Sequence, residues 1–288
     1  MKARSGRRKK KVAFQGERGA FSEEAARKLL GPAVVVVPCQ RFEDVFRSLE
    51  QRKTDAAVIP IENTLHGSVH ENYDHLLHFD LPIVGETKIR IVHHLIAPAD
   101  VPFAKLRRVY SHPVALNQCL SFFAKNRQLE QVPFYDTAGS VKMIMSERPP
   151  DAAAIASEVA AEIYGAKILR RSIEDDRQNF TRFFLLHRPG KNRSRAPRAG
   201  KNAEWKTSVV FTTRNVPGAL FRSLSAFSLR DLNLAKIESR PLRGKPWEYL
   251  FYLDFIGRVD EPTSQNALRH LGELADLLRV LGSYPRGD

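Results

Sequence analysis

Short apolar runs alternate with helical segments through the first 165 residues of the chain, and this alternation limits the folds it can adopt. The runs that predict strands lie at 12–14, 34–37, 56–59, 108–110, 132–135 and 152–155. The segments that predict helices lie at 22–30, where Ser22 is the expected cap, 44–52, 114–124, 140–146 and 158–164. Strands and helices that alternate in this way predict a largely parallel, doubly wound α/β architecture.

The stretch 83–96 interrupts this rhythm because it is long and rich in strand-forming residues. It predicts a crossover between two lobes of one α/β domain. In open α/β folds, ligands bind at the carboxyl ends of the strands. Polar residues that directly follow a predicted strand are therefore the first candidates for a functional site.

A different pattern begins after residue 206. Strands are predicted at 207–213, 232–239 and 249–255, and helices from Pro217 through Phe227 and at 266–281. The order β-α-β-β-α, with a short closing segment, predicts a small ferredoxin-like βαββαβ domain. Between the two patterns, residues 188–206 are rich in Pro, Gly, Ser, Asn and basic residues and lack apolar periodicity, which predicts a linker.

The net charge of +14 is concentrated in two segments. Residues 1–11 hold seven basic side chains and no acid, and residues 188–206 hold seven basic side chains against one glutamate. The predicted folded parts, 12–187 and 207–288, are therefore close to neutral when taken together. This distribution indicates a basic tail and a basic linker rather than a binding face, so no specific nucleic-acid partner is expected.

Cys39 and Cys119 lie far apart in the sequence and fit neither a metal-ligand spacing nor a disulfide framework. No apolar run approaches the roughly 18 residues that a membrane span needs. The basic N-terminus also lacks the apolar stretch of a secretory signal. We therefore expect a cytoplasmic protein with no membrane partner and no metal.

Polar residues cluster after several predicted strands. The clusters occupy 14–22, 60–68, 111–113 with 117–119, and 136–140. They contain hydroxyls, amides and backbone N–H groups, but few metal ligands and no serine or cysteine elbow. A site of this composition binds a small polyanion and stabilises a leaving oxygen without a cofactor or a covalent intermediate.

Each cluster also has a purely structural interpretation. Ser111, Asp136 and Thr137 are equally compatible with helix capping, and His112 alone is more typical of a capping or supporting histidine. The glycines of 14–22 predict either backbone contact with a carboxylate or a plain strand-to-helix turn. Because polar clusters recur after consecutive strands, we favour the interpretation that they form one shared site.

Thr181 and Arg182 stand side by side where a polar run gives way to an apolar strand. A hydroxyl next to a guanidinium provides a proton donor beside a carboxylate clamp. Two structural interpretations are the alternatives: the pair is an ordinary strand start, or Arg182 forms an ion pair with Asp175 or Asp176.

Taken in order, these segments resemble the prephenate dehydratase family. The motifs that carry the resemblance over residues 12–187 are Pro60-Ile61-Glu62-Asn63, Ser111-His112-Pro113, Asp136-Thr137-Ala138 and Thr181-Arg182-Phe183. Within 207–288, the motifs Pro217-Gly218-Ala219-Leu220 and Glu238-Ser239-Arg240-Pro241 resemble those of the phenylalanine site in ACT regulatory domains. Thr64 stands where the family commonly has serine and Val114 where it often has glutamine. The stretches 207–211 and 236–241 also resemble plant arogenate dehydratases.

The resemblance implies a two-lobed catalytic domain, like a type II periplasmic binding protein, followed by an ACT domain. It implies conversion of prephenate to phenylpyruvate without a cofactor, feedback inhibition by L-phenylalanine, and assembly as a homodimer or homotetramer. Arogenate dehydratase is the alternative activity, and a non-catalytic amino-acid sensor is the alternative from another class.

The resemblance also assigns site residues. The catalytic residues would be Thr181, Asn63, Ser111 and Gln118. The substrate-binding residues would be Arg182, Phe183, Glu62, Thr64, His112, Asp136, Thr137 and Ala138. The residues that bind phenylalanine would be Pro217, Gly218, Ala219, Leu220, Glu238, Ser239, Arg240 and Pro241.

Overall fold

The structure, a computed structural model, describes residues 9–190, 203–242, 244–245 and 248–287. The chain divides into two compact units: unit 1 comprises Met1–His75 and Thr87–Phe183, and unit 2 comprises Leu76–Glu86 and Phe184–Asp288. Most of the predicted basic tail (1–8) and of the predicted linker (191–202) lies outside the described residues. The boundaries 12–187 and 207–288 stay predictions from the sequence.

The secondary structure follows the predicted alternation closely. The strands are β1 (Lys11–Gln15), β2 (Val35–Cys39), β3 (Ala56–Asn63), β4 (Gly67–Ser68), β5 (Ile83–Arg90), β6 (His94–Ala97), β7 (Arg108–Ser111), β8 (Glu130–Pro133), β9 (Ala152–Ala156), β10 (Lys167–Arg170), β11 (Phe180–Leu186), β12 (Trp205–Thr213), β13 (Leu234–Pro241), β14 (Tyr249–Ile256) and β15 (Leu277–Pro285). The helices are α1 (Phe21–Leu30), α2 (Phe42–Glu50), α3 (His70–His78), α4 (Pro113–Asn117), α5 (Leu120–Lys125), α6 (Thr137–Glu147), α7 (Glu158–Tyr164), α8 (Ala219–Ser228) and α9 (Pro262–Leu274). The sequence pattern predicts neither α3, which has few apolar residues, nor the short β4 and β10.

The first lobe of unit 1 is built on a sheet in the order β11-β3-β1-β2. Strand β1 pairs in parallel with both β2 and β3, as the alternation with helices requires. Its residues Val12, Ala13 and Phe14 are fully buried, and α1 and α2 pack on this sheet. The parallel pairing places the ends of β1 and β3 at one edge of the sheet.

The second lobe of unit 1 has a sheet in the order β10-β6-β9-β7-β8. Strand β7 is parallel to β8 and β9, whereas β6 is antiparallel to β9 and β10. All five residues of β9 are fully buried between helices on both faces of the sheet. The chain enters this lobe through 91–93, so the predicted crossover between two lobes is confirmed.

Two helix predictions need correction. Helix α1 begins at Phe21 with Ala20 in the capping position and no side-chain cap, so Ser22 is a buried residue of its first turn rather than its cap. The helix predicted over 114–124 is divided into α4 and α5. Asp175 accepts hydrogen bonds from the backbone N–H groups of Leu120 and Ser121 at 2.8 and 3.0 Å, and a carboxylate that caps these two amides starts a new helix at Leu120.

Unit 2 contains the predicted βαββαβ arrangement, with the sheet order β13-β14-β12-β15 and α8 and α9 packed on one face. The prediction of one helix over 266–281 is wrong at its C-terminal end. Helix α9 ends at Leu274, and Leu277–Pro285 forms β15, antiparallel to β12. A short leucine-rich run fits a helix or a strand equally well, and here pairing with the open edge of β12 decides in favour of the strand.

Two glycines of unit 2 differ in the space available for a side chain, and substitutions at them give a matched test of the fold. A Cβ added at Gly282 would overlap the carbonyl oxygen of Ile83, where β15 meets β5. A Cβ added at Gly272 in α9 would only touch Leu278 Cδ2 at 3.7 Å. We expect Gly282→Ala to lower the free energy of unfolding by about 2 kcal/mol or more, and Gly272→Ala to raise it by about 0.5–1 kcal/mol.

Urea titration of both variants, followed by circular dichroism, measures the two changes. A Gly282→Ala protein with the same unfolding midpoint as the wild type would contradict the close approach of β15 to β5. The Gly272→Ala variant controls for the general effect of exchanging a glycine.

Candidate active site

Unit 1 contains a cavity of about 430 Å³ between its two lobes. Its walls come from the residues that follow β1, β3, β7 and β8, together with β11 and the crossover 91–93. The lining residues are Gln15, Ala20, Phe21, Ser22, Phe42, Pro60, Asn63, His66, Gly67, Ser68, Val69, Ile91, His93, His112, Val114, Ala115, Gln118, Tyr135, Asp136, Thr137, Thr181 and Phe183. The cavity thus lies at the carboxyl ends of parallel strands, where α/β folds place their ligands.

Asn63 and Thr181 form the polar centre of this cavity. The Asn63 side-chain oxygen accepts hydrogen bonds from the backbone N–H groups of Leu65 and His66, each at 3.0 Å. Its Nδ2 donates to Asn179 Oδ1 at 2.8 Å and to Thr181 Oγ1 at 3.0 Å. Because the amide group is fixed in this orientation, the Thr181 hydroxyl accepts from Asn63 and keeps its own proton for another partner.

Gln118 is the second amide that lines the cavity. It lies at the junction of α4 and α5, and its side chain is largely buried. Its Oε1 is 2.8 Å from Nε2 of His93, a buried histidine that also lines the cavity. This pair supplies a side-chain amide on the wall opposite the first-lobe residues.

The structure brings seven of the twelve predicted catalytic and substrate-binding residues to the cavity wall. These are Asn63, His112, Gln118, Asp136, Thr137, Thr181 and Phe183. The other five, Glu62, Thr64, Ser111, Ala138 and Arg182, are not part of the wall. The roles assigned to all twelve stay predictions.

Ser111, Ala138 and Thr64 have contacts that explain them structurally. Ser111 is fully buried and its Oγ donates to the carbonyl oxygen of Ile155 at 2.6 Å, which joins β7 to β9. Ala138 is fully buried in the core of the second lobe. Thr64 Oγ1 donates to the carbonyl of residue 178 and accepts from the N–H of residue 180, so it fastens its loop to the start of β11.

Arg182 is not part of the cavity wall, and its role as a direct carboxylate clamp stays a prediction. Successive side chains of a strand point to opposite faces, so Thr181 and Phe183 line the cavity while Arg182 lies on the other side. There its guanidinium is 3.8 Å from the carboxylate of Glu62 on β3. The two carboxylates that the sequence offered as alternative partners bond backbone N–H groups: Asp175 caps α5, and Asp176 accepts from the N–H of Gln178.

For Asp136 and His112, the sequence left open whether they cap a helix or belong to the site, and in the structure they do both. Asp136 caps α6 by accepting from the N–H of Gly139 at 2.6 Å, and it also accepts from the N–H of Glu17 at 3.4 Å. Burial raises the pKa of its carboxyl group above the ordinary value. His112 caps α4 through Nδ1, which accepts from the N–H of Val114, so its Nε2 carries the hydrogen. Both residues are caps that also line the cavity.

Sequence reasoning missed several wall residues. His93 belongs to the crossover, which contains no polar cluster after a strand, and Phe42 and Ile91 look like ordinary core residues in the sequence. Tyr135 was assigned to a strand, although it follows β8 and its hydroxyl bonds the Glu17 carboxylate at 3.2 Å. The one sequence feature that points to His93 is the pair of adjacent histidines, at 93 and 94, before an apolar run.

A smaller cavity of about 190 Å³ lies in unit 2 at the start of α8. Its lining includes Gly218, Ala219 and Leu220 of the predicted phenylalanine site, together with Phe221, Tyr249 and Phe251. Gly218 adopts φ 75° and precedes the first residue of α8, a backbone conformation that suits glycine. Pro217, Glu238, Ser239, Arg240 and Pro241 do not line it, and Glu238 lies 3.5 Å from Lys236 on the same strand.

Within the described ranges, no helix is long and apolar enough to cross a membrane. Among the same residues, no three His, Cys, Asp or Glu side chains are grouped so that they could hold a metal ion.

Comparison with known proteins agrees with this architecture. The family model for prephenate dehydratase matches residues 12–191. The Arabidopsis thaliana protein named arogenate dehydratase/prephenate dehydratase 2, chloroplastic, is 48% identical over 96% of this chain and 72% of its own length.

Two solved structures are similar over nearly the whole chain. Prephenate dehydratase from Arthrobacter aurescens in complex with L-phenylalanine has a TM-score of 0.86 at 30% identity, covering 96% of this chain and 90% of its own. A protein described as GqqA, a novel type of quorum quenching acylase, has a TM-score of 0.85 at 32% identity, covering 96% of this chain and 98% of its own. The match of the family model over most of the chain and the 48% identity to the Arabidopsis relative place the chain in the prephenate dehydratase family.

Proposed function

We propose that the chain catalyses the decarboxylating dehydration of prephenate to phenylpyruvate. The observation that carries this proposal is the Thr181 hydroxyl, which accepts a hydrogen bond from Asn63 and keeps its proton for a group in the cavity. Arogenate, which differs from prephenate in carrying an amino group in place of the side-chain ketone, is the alternative substrate.

The reaction needs a hydrogen-bond donor beside the 4-hydroxyl oxygen of the substrate, which leaves as water. The ring carboxylate leaves as carbon dioxide, its bonding electrons enter the ring, and the bond from the ring to the 4-hydroxyl oxygen breaks. That oxygen takes up one proton and departs as water, and the ring becomes aromatic. Negative charge develops on the leaving oxygen, so a donor fixed beside it stabilises the transition state more than the ground state.

Thr181 suits this task as a hydrogen-bond donor rather than as a full acid. An ordinary threonine hydroxyl is a feeble acid, but its O–H can strengthen a hydrogen bond as charge develops on the leaving oxygen. The bond from Asn63 Nδ2 fixes the threonine rotamer and polarises the hydroxyl toward the cavity. Asn63 is itself fixed by the two backbone N–H groups of its own loop, so the donor is oriented before substrate arrives.

The apolar part of the wall favours the loss of carbon dioxide. Phe21, Phe42, Ile91 and Phe183 line the same cavity as the polar centre. A carboxylate placed against such groups loses hydration, whereas neutral carbon dioxide needs little, so a dry wall favours decarboxylation. A pure amino-acid sensor would not need a hydroxyl donor held in this way, and we therefore favour the enzyme over the sensor.

We further infer that L-phenylalanine binds unit 2 and inhibits the reaction. The support is the apolar cavity at the start of α8, with Phe221, Tyr249 and Phe251 available for an aromatic ring and backbone N–H groups for a carboxylate. The similar Arthrobacter aurescens prephenate dehydratase was solved with L-phenylalanine. Inhibition requires that phenylalanine binds a low-activity state more tightly than the active one.

A homodimer or homotetramer and a cytoplasmic location complete the proposal. The assembly follows from the resemblance of 207–288 to ACT domains, which commonly bind their ligands between paired subunits. The location is a prediction from the sequence alone, and the Arabidopsis relative is named as chloroplastic.

The substrate is settled by parallel assays on the purified protein. We expect phenylpyruvate to form from prephenate, measured by its absorbance. Arogenate is assayed separately by the phenylalanine released. A larger kcat/KM for arogenate would reverse the substrate assignment, and no turnover of either substrate would contradict the enzyme assignment.

The role of the Thr181 hydroxyl can be tested with two variants, one that removes the hydroxyl and one that keeps it. Thr181→Val keeps the shape but removes the hydroxyl, and we expect turnover to fall roughly 100-fold with a modest change in KM, because the donor acts mainly on the transition state. Thr181→Ser keeps a hydroxyl and is expected to stay within about tenfold of the wild type. A folded Thr181→Val protein with nearly normal turnover would show that this hydroxyl is not the donor.

Phenylalanine binding can be tested with two glycines of similar backbone conformation. Gly218 has φ 75° and lines the cavity of unit 2, whereas Gly165 has φ 68° at the end of α7 in unit 1. We expect Gly218→Val to weaken phenylalanine binding at least tenfold in calorimetry, because a β-branched residue strains this conformation and displaces the amides at the helix start. Basal activity should persist.

Gly165→Val introduces similar strain away from that cavity and serves as the control. Loss of phenylalanine binding in both variants would mean that the effect is general destabilisation. Absence of phenylalanine binding to the wild-type protein at millimolar concentration would reject the regulatory proposal and leave the catalytic one untouched.

A further inference from the structure

His93 is a buried histidine that belongs to none of the polar motifs of the sequence. It lies in the crossover just before β6, is only 1% exposed and lines the cavity of unit 1. Its neighbour His94 is also buried, but it does not line the cavity and instead accepts from the N–H of Ser172 through Nδ1. The two adjacent histidines therefore have different tasks.

The main chain of Gln118 is rigidly held. Its carbonyl oxygen accepts from the N–H of Asp175 at 2.7 Å, and its N–H donates to the carbonyl of Val114 at 3.1 Å. The Asp175 carboxylate caps α5 two residues further on, which fixes the break between the helices where Gln118 lies. With the backbone fixed, the side-chain torsions are the remaining freedom, and the last of them turns the amide.

His93 removes that freedom. Its Nε2 is 2.8 Å from Gln118 Oε1, and an amide oxygen can only accept, so the hydrogen of the imidazole is on Nε2. The NH₂ end of the amide is then the end left for the cavity. A rotation of the amide by 180° would present its oxygen instead, which repels the carboxylates and the developing oxyanion of an anionic substrate.

His93 itself is held in one orientation and one protonation state. Its backbone N–H donates to the Glu174 carboxylate at 3.0 Å, and its ring meets Phe21 edge-on with centroids 5.9 Å apart. Among the described residues, Nδ1 has no hydrogen-bond partner that would compete for the proton on Nε2. Burial lowers the pKa of His93, so the ring stays neutral near physiological pH.

We propose that His93 is the positioning residue of Gln118, holding the amide oxygen so that the amide NH₂ donates to an oxygen of the substrate. This inference rests on the proposed function, because it assigns a role within the same cavity. Gln118 touches the substrate, whereas His93 acts through Gln118. The proposal makes a quantitative statement: the effect of His93 on turnover should vanish when Gln118 has no amide.

A double-mutant cycle tests this statement. His93→Phe keeps a ring against Phe21 but removes the donor, and Gln118→Met keeps the length but removes the amide. We expect His93→Phe to lower kcat/KM about tenfold or more in the wild-type background. In the Gln118→Met background, the same change should lower kcat/KM less than about twofold, because groups that act as a unit are strongly non-additive.

A pair of amide substitutions gives an independent rescue. A glutamine at position 93 can place a donor where Nε2 lies, whereas an asparagine is one methylene too short. We expect His93→Gln to retain at least about tenfold more activity than His93→Asn. His94→Phe is the control for buried histidines of this strand, and its turnover per folded molecule should equal that of the wild type.

The outcomes are distinct. Equal losses from His93→Phe in both backgrounds, or equal activities of His93→Gln and His93→Asn, overturn the positioning role. If His93→Phe fails to fold, as judged by circular dichroism and thermal unfolding, the Gln and Asn pair decides the matter. A wild-type protein that turns over neither prephenate nor arogenate overturns the proposed function and this inference together. An active wild type whose kcat/KM is unchanged by substitution of His93 overturns only the inference.

Discussion

The polar centre of the catalytic unit depends on one side-chain amide, that of Asn63. Its oxygen is occupied by two N–H groups of its own loop, and its nitrogen bonds Thr181 on β11 and Asn179 just before that strand. A single group therefore orders the loop after β3, ties it to β11 and determines which way the threonine proton points. Because every bond leaves the amide in one orientation only, replacing it would loosen the loop and the donor together.

Strand geometry separates the residues that touch the cavity from those that support it. On β11, Thr181 and Phe183 face the cavity, and Arg182 between them faces away toward Glu62. An arginine so largely buried needs a counter-charge, since an isolated buried charge is very costly. The Thr-Arg-Phe motif thus has two faces: its outer residues line the cavity, and its arginine lies beside Glu62 of β3.

Both amides of the cavity, Asn63 and Gln118, are oriented by groups behind them. Backbone N–H groups occupy the oxygen of Asn63, and the imidazole of His93 occupies the oxygen of Gln118. The nitrogen of Asn63 then donates to Asn179 and Thr181, whereas the nitrogen of Gln118 is the end left for the cavity. The Thr181 hydroxyl and the Gln118 amide thus offer donors to a substrate with two carboxylates and a leaving hydroxyl, while the Asp136 carboxylate on the same wall is an acceptor.

The sequence alone determined the architecture of both units, because alternating apolar runs admit few arrangements other than a doubly wound sheet and a βαββαβ domain. The resemblance of its motifs to a known family also pointed to Thr181, Asn63 and Gln118, which the structure places on the wall of one cavity. Tertiary structure decided the rest. Only the pairing of the two strands gave Arg182 its neighbour Glu62, only an edge of β12 turned Leu277–Pro285 into a strand, and only the crossover brought His93 to Gln118. These depend on contacts between residues distant in sequence, which no local pattern records.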